Sequence, residues 1–459
     1  MAPVCQGDES FGQHVEVLLQ SRVNAEVGVL IGRPGNRDIF LLLLPTPHEG
    51  NTAPVELQSV TDSSSKKKKK AQPDAQVHLA VDSITEHAAQ VAAMLPGGLS
   101  VMGLYLYGPE AAFSNATSQL CKALDGMVAA SSTTADKLLF ISSQSRNFLC
   151  KHRAAGAPSS ATLPVCEFKL VPSLSGFSIM TCRHCVSMIL PILDKMQALS
   201  TNVESLIAAE CQRITNGIGT TQGSMASSST TVGDLQQPLQ VELLCPPSCC
   251  DTTQAADVKE ASVSGRVVLE GVLHGRAMVH KKDMLSTAVD LLKADLVSSL
   301  QTRLDILMAE AEEVSESNEA GGARHAILQS TSESSTYISL RLPTRVFFPV
   351  QDTLSFCDYL ASGESMTDAT CRLQPLLGKQ ANLSQMQNPE GTAGMMYSTK
   401  QMQIILVCVS YRLSTGWLVV LVPPVLEEFG VDLLSEPVAV PVGFGGLEPA
   451  YASQQRSAR

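Results

Sequence analysis

Thirteen cysteines and nine histidines are the residues of this 459-residue chain best suited to hold a metal or attack a carbonyl. Two groups have metal-like spacing, Cys182-Arg-His-Cys185 and Cys245-Pro-Pro-Ser-Cys249-Cys250. Zinc needs ligands that converge on a tetrahedron. The run over 177–190 reads as a long β-strand, on which residues three apart point to opposite faces, so Cys182 and Cys185 are not expected to share a metal. A cysteine nucleophile needs a histidine base within hydrogen-bond reach, and His87, His152 and His184 are the candidates, since such groups meet only in space. The chain contains no GxxxxGK[ST] phosphate loop, no HExxH, no GxSxG and no His-x-His, which removes the common nucleotide-binding, zinc-protease and serine-hydrolase motifs.

The elements that would position such groups follow from hydrophobic periodicity. The start, MAPVCQGDESFGQHVEVLL, reads as an amphipathic helix centred on 11–19. Strands follow over 25–31 and 38–44, then a polar insertion over 51–72 and a strand over 75–81. Ser83-Ile-Thr-Glu86 has the form of a capping box, and Ile84, Ala88, Val91 and Leu95 form the inner stripe of the helix it opens. Pro96-Gly-Gly98 ends that helix and turns the chain into a strand over 99–107. A helix over 111–130 and a strand over 137–141 complete an α/β unit spanning 1–215. Residues 216–237, rich in Gly, Ser and Thr, read as a linker.

A second unit, α+β and spanning 238–380, opens with strands over 239–244 and 265–280. Leu285, Val289, Leu292, Leu296, Leu300, Leu304 and Leu307 then recur every three or four residues, a helix whose stripe faces a core rather than a partner coil. A low-complexity stretch over 310–323 precedes strands over 337–342, 345–350 and 354–360. The tail, 381–459, carries apolar runs that include Ile404, Val409, Trp417 and Leu426. Arg412 splits them, so a crossing over 402–426 would carry a charge near its middle. A membrane anchor, an interfacial segment and a wrongly assigned C-terminus are the three readings of that tail.

Net charge is −11, with 33 Lys and Arg against 44 Asp and Glu, so no nucleic-acid surface is expected. The lysine run 66–70 sits in a polar stretch and reads as a solvated loop. Scattered cysteines, odd in number, with no leading apolar signal segment, fit a reducing compartment and a cytosolic bulk.

The residues over 94–110, MLPGGLSVMGLYLYGPE, have the frame of a particular active-site strand. An apolar strand there runs into Gly103-Leu-Tyr-Leu-Tyr-Gly-Pro109. This resembles the MPN (JAMM) metalloprotease fold, in which the strand ends in Gly-Trp-Tyr-His-x-His-Pro and two imidazoles hold a water-activating zinc. On that resemblance the histidine positions are Leu106 and Gly108. The serine and aspartate positions one helical turn further on are Ala116 and Gln119. The general-base glutamate falls on Ala25, with Glu26 one residue off and facing the other side of the strand. The resemblance therefore implies an MPN-like domain whose metal site is lost, with no catalytic residue, no metal and no cofactor.

Taken in order, Ala25-Glu-Val-Gly-Val-Leu-Ile-Gly32, the run over 86–106, the strand and helix over 271–307, Arg345-Val-Phe-Phe-Pro349, Cys357-Asp-Tyr359 and Gly363-Glu-Ser365 resemble the odorant-response-abnormal-four family. That resemblance implies a non-enzymatic endoplasmic-reticulum adaptor, anchored by one C-terminal membrane helix and with its bulk in the cytosol. It further implies seven-helix receptors as clients in folding and trafficking. The partner it implies is the cysteine protease of the ubiquitin-fold modifier. Two other classes stay open on the residues alone, a soluble structural subunit of a larger complex and an uncharacterised hydrolase.

Overall fold

The first strand starts where the sequence suggests a helix. Val4–Asp8 (β1) pairs in parallel with Asp38–Pro45 (β3), and the helix begins only at Ser10–Gln20 (α1). The correction has a local cause. Gly7 disfavours helix, and the Asp8 carboxylate accepts the amides of Ser10 at 3.0 Å and of Ser173 at 3.0 Å, which ends the strand and turns the chain. The computed structural model describes residues 4–48, 50, 52–59, 75–130, 135–154, 163–192, 199–227, 229–246, 265–316, 337–351, 353–378, 383–391, 407–413 and 416–422. The lysine run, Cys249, Cys250, Ile404 and Leu426 lie outside them.

The first sheet continues with Glu26–Arg33 (β2), then, beyond a separate two-stranded hairpin of Val55–Ser59 (β4) and Ala75–Leu79 (β5), with Ser100–Gly108 (β6), Lys137–Ser142 (β7), Phe148–His152 (β8) and Glu167–Val171 (β9). Its order is β8-β7-β6-β2-β3-β1-β9. β4 lies within the stretch expected to be a polar insertion, which it therefore interrupts. Both faces of the sheet are covered, so its central strands are apolar at nearly every position. Leu30, Phe40, Leu43, Tyr105 and Tyr107 meet Phe11, Val15 and Leu18 of α1. Val27, Val29, Ile31, Leu104 and Leu106 meet two helices on the other side, Val81–Ala93 (α2) and Glu110–Ala130 (α3). The expected capping box at Ser83 is overridden, because Ile84 N–H already donates to the Ala80 carbonyl at 3.0 Å and places both Ser83 and Glu86 inside α2.

A second sheet has the order β12-β11-β13-β10-β14-β15. Its strands are Phe177–Ile192 (β10), Ile218–Thr221 (β11), Ser224–Met225 (β12), Leu239–Leu244 (β13), Gly265–His280 (β14) and Tyr337–Arg341 (β15). The expected linker is thus a structured edge: Ile218 pairs with Leu244 and Thr220 with both Glu242 and Met225. Small polar residues serve an edge strand as well as a linker, and composition alone does not separate the two. Leu199–Asn216 (α4) and Leu285–Glu316 (α5) cover one face. Leu285, Val289, Leu292, Leu296 and Leu300 are buried against Leu269, Leu273, Ala277 and Val279 of β14, so the leucine stripe is a core seam. α5 also runs through the first residues of the stretch read as low-complexity.

Thr344–Pro349 (β16), Ser355–Leu360 (β17) and Met366–Leu377 (α6) form a third element, with Phe348, Leu354, Phe356, Leu373 and Leu377 in the same core as α2 and α3. The turn after α2 docks on the second sheet. Gly97 exchanges backbone hydrogen bonds with Arg276 and Met278. A Cβ on Gly97 would stand 2.8 Å from the Leu291 carbonyl, and on Gly98, at φ +80°, 2.3 Å from that of Met278. Residues 1–395 form one compact unit and 396–459 another. In the latter, Val407–Leu413 (β18) and Gly416–Val422 (β19) pair antiparallel, with Arg412 opposite Trp417. The expected C-terminal membrane helix is not found: among the described residues no helix is long and apolar enough to cross a membrane. The apolar runs holding Val409 and Trp417 are strands, consistent with their β-branched residues and with Gly416 beside the turn.

Candidate functional site

Of the five residues at the positions compared with metal ligands, two meet directly. A Cβ on Gly108, at the end of β6, would lie 3.7 Å from the Ala25 Cβ and 3.8 Å from the Asn24 carbonyl. Leu106 and Ala116 are 1% and 0% exposed and belong to the core between the sheet and α3. Gln119 points elsewhere. Its Oε1 accepts the Leu79 amide at 2.9 Å and its Nε2 donates to the Val77 carbonyl at 2.8 Å, so it clips the edge of β5 to α3. A zinc ion would require lone pairs from at least three of these positions. Ala25, Leu106, Gly108 and Ala116 carry none, and the Gln119 amide is committed to backbone. The residues present do not fit a metal.

Glu26 lies on the other side of the strand, as its register requires. One of its carboxylate oxygens contacts His14 Nε2 at 2.8 Å and accepts the Tyr105 hydroxyl at 2.8 Å. Burial, followed by the charge of Glu26 and the hydrogen bond to it, holds the Tyr105 phenol well above its ordinary range. Tyr105 therefore stays a neutral donor. The three side chains bind α1 to the sheet at a cavity of about 740 Å³, lined among others by His14, Ala25, Glu26, Pro45, Thr46 and Gln351. Sequence reading did not single out this group; the only signal was an acidic residue at the mouth of an otherwise apolar strand.

Each of the three candidate histidine bases meets an oxygen partner. His87 is buried, with Nδ1 3.3 Å from Thr46 Oγ1 and Nε2 2.9 Å from the Leu376 carbonyl. His184 pairs with the fully buried Glu210 at 2.7 Å, and Glu210 also binds Arg213. His152 Nδ1 stands 2.9 Å from Asp136. Cys182 is buried on β10, its thiol pushed up to about 12 chiefly by desolvation, and Cys185 is only partly buried. A thiol in that state is not a nucleophile at neutral pH.

A family model described as Odorant response abnormal 4-like matches residues 28–387. Curated relatives include "Protein odr-4 homolog" of Dictyostelium discoideum, 23% identical over 401 residues, covering 80% of this chain and 79% of the relative. The protein of that name from Homo sapiens is 24% identical over 420 residues, covering 84% and 85%. Among solved structures, "Crystal structure of UfSP from C.elegans" aligns at 9% identity and a TM-score of 0.37, over 82% of this chain and 56% of that chain. The family match runs from β2 to the residues that close the third element, through both sheets and the helices that cover them, and the chain belongs to the Odorant response abnormal 4-like family.

Proposed function

We propose that this chain is a non-enzymatic adaptor built on an MPN-like scaffold. It works at the endoplasmic-reticulum membrane, supports folding and trafficking of seven-helix receptors, and holds the cysteine protease of the ubiquitin-fold modifier there. The observation that carries the reading is the fate of the metal positions: Leu106 and Ala116 are given over to core packing and Gln119 to holding β5. A scaffold of this kind keeps a shaped surface after losing its chemistry. Membership of the family supports the adaptor role over a hydrolase. Contact with the membrane is assigned to the tail that contains β18 and β19, as an interfacial or anchoring segment.

Co-purification from native membranes followed by mass spectrometry tests this directly. The protease and receptor chains should come down with the protein, and carbonate washing should leave it in the membrane fraction. Full release by carbonate, with a stable set of soluble partners and no protease, would instead make it a structural subunit of a larger complex.

A further inference from the structure

Three cysteines far apart in the sequence meet in space. The sulfurs of Cys5, Cys150 and Cys166 all lie within 4.8 Å of one another, and the residues are 0%, 0% and 3% exposed. Cys5 is on β1, Cys150 is on β8, and Cys166 is the residue that enters β9. This is the place where the first sheet closes on itself. The chain ahead of β9 pairs with β8 through a Lys151–Val165 bridge, through Cys166 N–H to the Cys150 carbonyl at 2.9 Å, and through His152 N–H to the Pro164 carbonyl at 3.0 Å. The seam is short, and the three sulfurs sit across it.

A buried cysteine is by default a small apolar residue. Elsewhere in the same core the positions are filled by Phe, Leu, Val, Ile, Met and Tyr, which bury more apolar area. At the seam three thiols converge from three strands instead. They are a purely sulfur donor set in the core that also holds Phe40, Phe148 and Phe168, with the charges of Lys137 and Asp136 within electrostatic reach of Cys166. Soft thiolates select soft cations. Zinc asks for a fourth ligand, and among the described residues the group contains three. A cation bonded at about 2.3 Å to three sulfurs in one plane spaces them about 4 Å apart, which the observed limit of 4.8 Å admits.

We propose that Cys5, Cys150 and Cys166 form a three-coordinate thiolate site for Cu(I), which staples β1 to the seam between β8 and β9. On binding, three S–H bonds are replaced by three S–Cu bonds and the protons go to solvent. The copper remains Cu(I), and no electron is exchanged.

The test uses the full chain prepared without oxygen and loaded with Cu(I) from a chelator buffer. The wild type should hold one copper at the site, with three sulfur neighbours by X-ray absorption, and its melting temperature should rise with the metal. Cys5→Ala and Cys150→Ala should release copper to the chelator more readily by over roughly 100-fold, beyond what loss of an outer-shell partner costs. Cys121→Ala, buried in the other core, should bind like wild type. Equal retention by wild type and Cys150→Ala would overturn the proposal, as would zinc held in preference to copper. Should the alanine variants fail to fold, the absorption spectrum of the wild type decides alone, and fewer than three sulfurs around copper rejects the site.

Discussion

Asp295 and Arg345 meet as a bidentate ion pair, at 2.7 and 3.0 Å, with side chains 2% and 3% exposed. The same carboxylate accepts the amides of Gly97 and Arg276, each at 2.8 Å. One aspartate of α5 therefore ties together the turn after α2, the long strand β14 and the strand β16, which the sequence places in different units. Burial of a charge at this junction is tolerated because all its bonding capacity is used.

Removing one partner should be costly. Asp295→Ala leaves the Arg345 guanidinium buried and unpaired, and the expected loss is about 3–5 kcal/mol in denaturant unfolding. A loss below about 1 kcal/mol would mean that water reaches the pair and that the junction is not closed.

The leucine seam gives a paired test. Leu296 is 1% exposed and packs on Gly275, where an added Cβ would stand 2.8 Å from it. Leu296→Asp should cost about 4 kcal/mol by burying an unpaired charge. Lys293, one turn earlier, reaches the Thr215 carbonyl at 3.3 Å from a more exposed position, and Lys293→Asp should cost under about 1 kcal/mol. Equal unfolding midpoints for the two variants would contradict the packing described.

Stability should fall in mild acid, and His274 should account for part of it. Burial first, then the charges of Arg276 and Arg345, hold its imidazole at about 4, below the ordinary 6.5, with Asp295 acting the other way. Because the folded value is the lower one, the unfolded chain takes up the proton first. The contribution is complete above pH 6.5 and is lost as pH falls from 6.5 towards 4, on the order of 3 kcal/mol in all. His87, lowered by burial, acts in the same direction. Urea midpoints at pH 7.5 and 4.5 should differ less for His274→Phe than for wild type, and identical differences would refute the assignment.

Much of this fold was legible because periodicity reports burial. The apolar runs of β2, β3 and β6 and the leucine stripe of α5 announce their elements, since their faces are buried over long spans. β1 was hidden because Val-Cys-Gln-Gly-Asp is short and takes its stability from β3 and β9, which lie far along the chain. The edge strands β11 and β12 were hidden because their Gly, Ser and Thr match a linker in composition. At the candidate site, the register that separates Ala25 from Glu26 could be read from strand alternation. The closeness of Ala25 to Gly108 depends on the pairing of β2 with β6, and the bond from Tyr105 to Glu26 on which rotamers fill the space beneath α1. The convergence of Cys5, Cys150 and Cys166 has no local signal at all.

Gln119 offers a check on the proposal that this face holds no metal. If its role is to hold β5, Gln119→Ala should cost about 1–3 kcal/mol by leaving the Val77 carbonyl and Leu79 amide without that partner. Purified protein should show no zinc that depends on residues 105–109 and no cleavage of isopeptide bonds. Zinc lost on replacing Gly108, together with an unchanged stability for Gln119→Ala, would reverse the reading of this face.

The last prediction separates membrane contact from partner capture. Residues 396–459 pack as their own unit, so removing 402–459 should leave the first unit folded. The cut cannot be moved back to 377. Glu390 accepts Arg303 at 2.9 and 2.7 Å and the amides of His274 and Arg345 at 2.6 and 2.7 Å, and a chain ending at 377 leaves Arg303 buried without its partner. The 1–377 chain should therefore lose about 3–5 kcal/mol, and the 1–395 chain should unfold like the full protein. Protein recognition needs a folded, desolvated patch of roughly 800 Å² per partner, which the first unit, with its two covered sheets, is large enough to supply. The 1–395 chain should accordingly leave the membrane fraction and still pull down the modifier-specific protease. If it stays with the membrane, or loses the protease while remaining folded by circular dichroism, the tail is not the membrane contact, or it is also the partner surface, and the adaptor must be divided differently.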